Sequence, residues 1–312
     1  MIQYFKNANG QTVQIDKPES GVWVNILPPL KQEEFTDLSE MLDIPVDFLT
    51  DSLDIDERSR YEIEGNVKLI VLKTPTENNS FNESDAYYIT IPICIILTHG
   101  QIVTVNSFEN GAIKKFLNSF KNRSPDKKNM MVLKIFEKVV QNFMDYLKEI
   151  NQRRNVLEQK LYDNRRSEDL LQLVRIQKSL VYFVTTLRSN ETLMMKLVRT
   201  NILQFTDEEK EFLEDLIVDN SQALEMANIY TNILGNAMDA FSSIQASHLN
   251  WILKWLTGIG LVLSLPLLVG VMFCMKVPLP FSDSPATFYV APLVSLAISG
   301  LLCGYFIKNK WF

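Results

Sequence analysis

The stretch that most constrains this chain is Trp255 to Lys276, WLTGIGLVLSLPLLVGVMFCMK, which holds no charge before its final lysine. As a helix rising about 1.5 Å per residue it spans roughly 32 Å, the thickness of a bilayer core. A second apolar run, Thr287 to Ile307, follows after only the ten residues Val277 to Ala286. The pair reads as a transmembrane hairpin behind a polar body. The first span reads as a pore wall, and the body as the device that holds and gates it.

Mean hydropathy is near zero because a polar body is averaged with an apolar tail. From residue 250 onward there is one acid, Asp283, against four bases, Lys254, Lys276, Lys308 and Lys310, so the body is more acidic than the whole-chain charge of −6. An acidic body argues against nucleic acid or an anionic lipid surface as partner and suits cations. Cys94, Cys274 and Cys303 are odd in number and show no CxxC spacing, so no disulfide framework is expected. Met1–Gly10 has no apolar leader, and the N-terminus is expected to stay inside. Lys254, Lys308 and Lys310 outnumber Lys276, which places both ends of the hairpin in the cytosol and the loop outside the cell membrane.

Residues 1 to about 120 read as α/β. VWVNIL (22–27), VKLIVLK (67–73), AYYITIPICIIL (86–97) and IVTV (102–105) are β-branched and short, with turn residues between, among them His99-Gly100. KQEEFTDLSEMLDI reads as a helix, and Ile44-Pro45 opens another. DERSRYEIEGN (56–66) reads as a charged lead into a strand, its Asp54, Asp56, Glu57 and Arg58 being structural ties. From about Asn129 the apolar spacing becomes helical, with a second helix from Ser167. A third begins at Thr206, where TDEE forms a capping box. No proline follows before Pro266, so this helix runs on for about 60 residues, roughly 90 Å, into the membrane without a break. Alone it is not stable and needs neighbours. Two spans per chain cannot enclose a water path, so several copies meet around an axis.

Several blocks together resemble the CorA family of divalent-cation transporters. DSLDIDERSRYEIEGNVKLIVLK (51–73) resembles the family's Asp-Glu-Arg-Pro-Arg segment, with Ser59 where proline is common. PICIILTHGQIVTV (92–105) is similar to its central hairpin, and RIQKSLVYFVTTLRSNETLM (175–194) to its second long helix. SSIQASHLNWILKWLTGIGLVLSLPLLVGVMFCMKV (242–277) resembles the pore helix, and KNKWF (308–312) the basic-aromatic end. The resemblance implies passive, gated Mg²⁺ transport by a funnel-shaped homopentamer. It departs at the family's Gly-Met-Asn signature, which here reads Cys274-Met275-Lys276. In the family the asparagines form a ring of carbonyl oxygens for a hydrated cation, whereas a lysine offers no acceptor. One ammonium about 8 Å from a divalent ion costs roughly 1 kcal/mol in water and several times that in a pore mouth. Three readings stand: Lys276 snorkels away, it is deprotonated by its copies, or it changes or abolishes Mg²⁺ selectivity.

The resemblance makes Asn250 pore-facing at the inner mouth; without it, a polar interface residue is the plain reading. A stripe at helical spacing continues through Leu253, Leu256 or Thr257, Gly260, Ser264, Leu267 and Val271 to Lys276, mostly apolar and so a constriction that gates by dewetting. Gly258 and Gly260 equally permit close helix packing, and Pro266 loosens the helix locally. The third helix opens on Asp207, Glu208, Glu209, Glu211, Glu214, Asp215 and Asp219 against Lys210. Its plain reading is a solvated face with favourable dipole charges. By resemblance Asp215, with Asp219 beside it, falls at an intersubunit metal-sensing position, and Asp239 at an acidic position nearer the membrane. Asp239 also reads as a salt-bridged helix residue.

The expectation is therefore an α+β cytosolic domain (1–125), a helical stalk (126–250), a pore-lining span (251–276), an external loop (277–286), a second span (287–307) and a cytosolic tail (308–312). The partners are the lipid bilayer, divalent cations and further copies of the chain; Mg²⁺ is cargo and a regulatory ligand. No Walker A, GxGxxG or GxSxG motif occurs, and His99 and His248 are far apart, so no enzyme chemistry, nucleotide or organic cofactor is expected. The alternative to Mg²⁺ transport is a transport-impaired or retuned relative.

Overall fold

The computed structural model describes residues 2–8, 11–16, 22–27, 32–78, 85–98, 100–106, 111–120, 128–164, 167–274 and 287–309. His99, the 277–286 loop and residues 310–312 lie outside them. The described residues form two compact units, Met1–Gly235 and Asn236–Phe312.

The first unit is built on a mixed seven-stranded sheet. Its strands are β1 (Ile2–Ala8), β2 (Gln11–Ile15), β3 (Trp23–Ile26), β4 (Arg60–Glu64), β5 (Val67–Glu77), β6 (Tyr88–Leu97) and β7 (Ile102–Asn106), in the order β2-β1-β3-β7-β6-β5-β4. Only β3 and β7 run parallel. The four expected strands are present. β1, β2 and β4 were not anticipated, because they are polar and sit at the sheet's flanks. β4 pairs Glu64 with Val67 across the turn Gly65-Asn66, where Gly65 adopts φ +56°. A side chain is strained at that angle, so glycine is needed there.

One sheet face packs under α1 (Gln32–Leu42) and α2 (Val46–Thr50), with Phe35, Leu38, Phe48 and Leu49 meeting Leu69, Val71, Cys94, Ile96 and Val103. Residues of opposite parity along β5, Ile70, Leu72 and Thr74, are also buried, as a strand covered on both faces requires. Covering this second face are α4 (Lys128–Asn164) and α5 (Ser167–Thr200), with α3 (Gly111–Phe120) against α4. Phe143 of α4 meets Phe183 of α5 edge-on at 5.3 Å.

β5 extends beyond the reach of β4, and helix side chains replace the missing strand. Asn190 of α5 accepts from the Lys73 N–H (3.2 Å) and donates to the Lys73 carbonyl (2.9 Å). Two residues on, Pro75 has no N–H to leave open, and its carbonyl accepts from Asn142 of α4 at 3.0 Å. The Ser59 hydroxyl also donates to Asn190 at 2.6 Å, tying the charged segment to the same residue.

The last two helices are α6 (Asp207–Cys274), 68 residues without interruption through Pro266, and α7 (Thr287–Lys308). α5 ends on Asn201 in the left-handed region (φ +46°), whose side chain accepts from the Phe205 N–H. The expected capping box then starts α6: the Thr206 N–H donates to Glu209 (2.9 Å) and the Glu209 N–H to the Thr206 hydroxyl (3.4 Å). Within the first unit α6 buries Leu213, Leu216, Asn220, Ala223, Ala227 and Leu234, and Asn220 donates to the Leu187 carbonyl of α5 at 2.9 Å. These are the neighbours that a helix of this length needs.

Candidate ion path and metal sites

Along the second unit, α6 has one covered line, and the rest of its circumference is exposed. Gly258 is buried, and Val262, Leu265 and Val269 are half-covered. At about 100° per residue these fall within an arc of roughly 60°. Leu256, Gly260, Ser264, Leu267 and Val271 are all exposed, Leu256 by 66% and Leu267 by 70%. They fill an arc of about 80° on the opposite side of the helix, and the backbone position of Cys274, the last residue of α6, falls in it too. Asn250 is exposed and lies about 40° outside that arc.

The two glycines separate accordingly. Gly258 lies on the covered line, while a methyl group placed on Gly260 would meet nothing within 4 Å. The Ser264 hydroxyl donates to the Leu261 carbonyl at 2.9 Å, a bond that offsets its polarity in an apolar setting. α7 has one covered line of its own, Ser295, Ser299 and Phe306. Small side chains recur there, as where helices approach closely. Among the described residues α6 holds one segment long and apolar enough to cross a membrane, and Pro292–Lys308 is a shorter apolar helix. Met275 and Lys276 lie outside the described residues.

The acids at the start of α6 separate into two roles. Glu209 is buried and taken up by the capping box and by Asn129 of α4 (3.4 Å). Asp215 and Asp219 are exposed, on the side away from Leu213, Leu216 and Asn220. Asp239 is exposed as well, with no salt bridge among the described residues. Nor, among the described residues, do three His, Cys, Asp or Glu side chains of one chain gather closely enough to hold a metal ion.

The charged segment before β5 is tied differently from the expectation. Arg60, not Arg58, is the tie: it meets Asp51 at 2.6 Å, Glu57 at 2.9 Å, and Glu62. Burial pushes the Asp51 carboxyl above its usual value, against the pull of Arg60. Asp54 accepts from the Asp56 N–H at 2.9 Å, closing a local turn. Arg58 is exposed and, among the described residues, in no ion pair. The sequence signal for Arg60 was its place opening an alternating polar strand, where its side chain reaches back to the loop.

The described residues thus combine an α/β body, a 68-residue helix with one segment long and apolar enough to cross a membrane, and a shorter apolar helix. The profile of the CorA-like Mg²⁺ transporter protein family matches residues 18–309, and the chain belongs to that family. It is 24% identical over 294 residues to the cobalt/magnesium transport protein CorA of Methanocaldococcus jannaschii, covering 93% of this chain and 91% of that protein. The complete structure of the CorA magnesium transporter from Methanocaldococcus jannaschii superposes with a TM-score of 0.86 at 23% identity, covering 100% of this chain and 99% of that one. The ZntB cytoplasmic domain from Vibrio parahaemolyticus superposes at 0.62 and 12% identity, covering 78% of this chain and 98% of that domain. These two superpositions concern the fold alone.

Proposed function

We propose that copies of this chain form a ring, a pentamer by family resemblance, that carries divalent cations passively across the cell membrane, Mg²⁺ first. The observation that carries the reading is the exposed surface of α6 opposite its covered line. Leu256, Gly260, Ser264, Leu267 and Val271 lie on that exposed surface, and the resemblance assigns them the side that faces an axis between copies. Asn250 stands at the inner mouth of that path and Cys274, Met275 and Lys276 at the outer. Both termini face the cytosol; residues 126–250 act as the stalk, 251–276 and 287–307 as the spans, 277–286 as the outer loop and 308–312 as the inner tail. A double charge crossing 100 mV gains about 4.6 kcal/mol, so no chemical fuel is required.

Lys276 favours a second reading, a relative retuned to another ion or acting as a regulatory subunit. Flux of Mg²⁺, Co²⁺, Ni²⁺, Zn²⁺ and chloride into liposomes separates the two, with Lys276→Asn beside the natural chain. Mg²⁺ flux by the natural chain supports transport. Divalent flux by the substituted chain alone would mean that the lysine has closed the path to those ions. Equal flux places the lysine away from the axis.

In the same reading Asp215, with Asp219 beside it, takes a regulatory Mg²⁺ between neighbouring subunits and holds the path shut, while a ring of Asp239 concentrates cations nearer the membrane. Exposed carboxylates on the free side of α6 are suitably placed for a partner's ligands to complete a site. Millimolar Mg²⁺ is expected to protect the natural chain from proteolysis and to lose that effect in Asp215→Ala. Identical cleavage patterns in both would remove Asp215 from the site.

A further inference from the structure

We propose that the cleft between the 55–58 loop, β5, β6 and α5 binds a nucleoside polyphosphate. The cleft encloses about 680 Å³, within the range of small-molecule sites. Three cations line it: Arg58 from the loop, Lys73 from β5 and Arg188 from α5. Arg58 and Arg188 are exposed, and among the described residues neither has an ion-pair partner. Lys73 is half-buried and donates to the Ile55 carbonyl at 2.7 Å, which fixes its ammonium at the wall.

Two acids share the lining, Asp56 and Glu57. Glu57 is in contact with Arg60, which it shares with Asp51 and Glu62, and Asp54 acts on Lys73 together with both lining acids, so the carboxylates gather on the Lys73 side while Arg58 and Arg188 have no ion-pair partner among the described residues. Two guanidiniums without ion-pair partners among the described residues are suited to grip phosphate oxygens in pairs, which a polyphosphate offers in greater number than a lone carboxylate. Hydroxyls complete the polar side: Thr90 and Thr186 lie 2.9 Å apart in the wall, and Ser189 stands beside them. Burial pushes the Lys73 ammonium below its usual value while Asp56, Asp54 and Glu57 pull it back; a bound polyanion would hold it charged.

The other side of the cleft is apolar. Ile89, Val181 and Tyr182 line it, and Val181 and Tyr182 are 54% and 48% exposed. A flat, partly apolar ring would cover that surface, which an inorganic anion would leave in water.

Calorimetry on the full chain in detergent, in magnesium-free buffer with a chelator, tests this with ATP and inorganic tripolyphosphate as probes. The natural chain is expected to bind ATP saturably. Arg58→Ala/Arg188→Ala is expected to bind it at least about tenfold more weakly with an unchanged melting temperature, and Arg58→Lys/Arg188→Lys to fall between. Tripolyphosphate, lacking the ring, is expected to bind at least about tenfold more weakly than ATP. Absence of saturable binding, or equal ATP binding in the natural and alanine-substituted chains, overturns the proposal. Tripolyphosphate binding as tight as ATP overturns the nucleoside assignment. A change in the mass of the assembly with ATP binding unaltered would make the cleft a contact between copies and overturn it as well.

Discussion

At the residue scale, a single guanidinium organises the most charged part of the body. Arg60 meets Asp51, Glu57 and Glu62 while one-third exposed, so solvent screens each pair. Arg60→Met is expected to destabilise the full chain by roughly 1 kcal/mol, and Arg58→Met by less than about 0.5 kcal/mol. Thermal melts in detergent check the contrast; equal losses would mean that Arg60 is no special tie. The sequence showed that this segment holds charge ties but attached them to Arg58, because charge spacing does not reveal which arginine opens a strand. It showed the acids at the head of α6 as one group. Within it, the capping box read from TDEE is present, with the Glu209 carboxylate accepting from the Thr206 N–H. Leu256, Gly260, Ser264, Leu267 and Val271 were named from helical period and Asn250 from the resemblance; all six are exposed in the single chain, as are most residues of this part of α6, so exposure does not single them out.

At the scale of elements, the long helices were legible, while α3, for which no expectation stood, and the sheet's flanks were not. The capping box at Thr206 and the long gap before Pro266 mark α6 directly, because each is a local backbone requirement. The inner stretches Leu69–Leu72 of β5 and Ile91–Leu97 of β6 are buried on both faces, and the sequence shows them as apolar runs. β4 alternates polar and apolar residues with Ile63 exposed, and charge hides it. β1 and β2 are similar; the Asn9-Gly10 dipeptide between them was the available sign. α5 bears on β5 through one side chain. Asn190→Ala would leave the Lys73 N–H and C=O and the Ser59 hydroxyl unpaired, and is expected to cost about 2–3 kcal/mol. Chemical denaturation of the full chain measures it. A loss no greater than that of an exposed α5 substitution such as Lys196→Ala would show that water replaces the amide.

At the scale of the whole molecule, the exposed arc of α6 is a statement about copies. Leu267 lies on the arc and Val262 on the covered line. With Cys274 and Cys303 replaced, Leu267→Cys is expected to crosslink between chains on oxidation in the membrane and Val262→Cys is not. Crosslinking at Val262 alone would turn the helix half a revolution about its axis and move the path with it.

Asn190 and Asn142, standing beside β5 where a strand could lie, also bear on how copies meet. A bare strand edge is a template for another chain and a route to aggregation. At Lys73 both backbone groups are occupied, and at Pro75 there is no N–H to offer and the carbonyl is taken. Copies crowded on one membrane find no ladder to extend along this part of β5, so association there is left to helices.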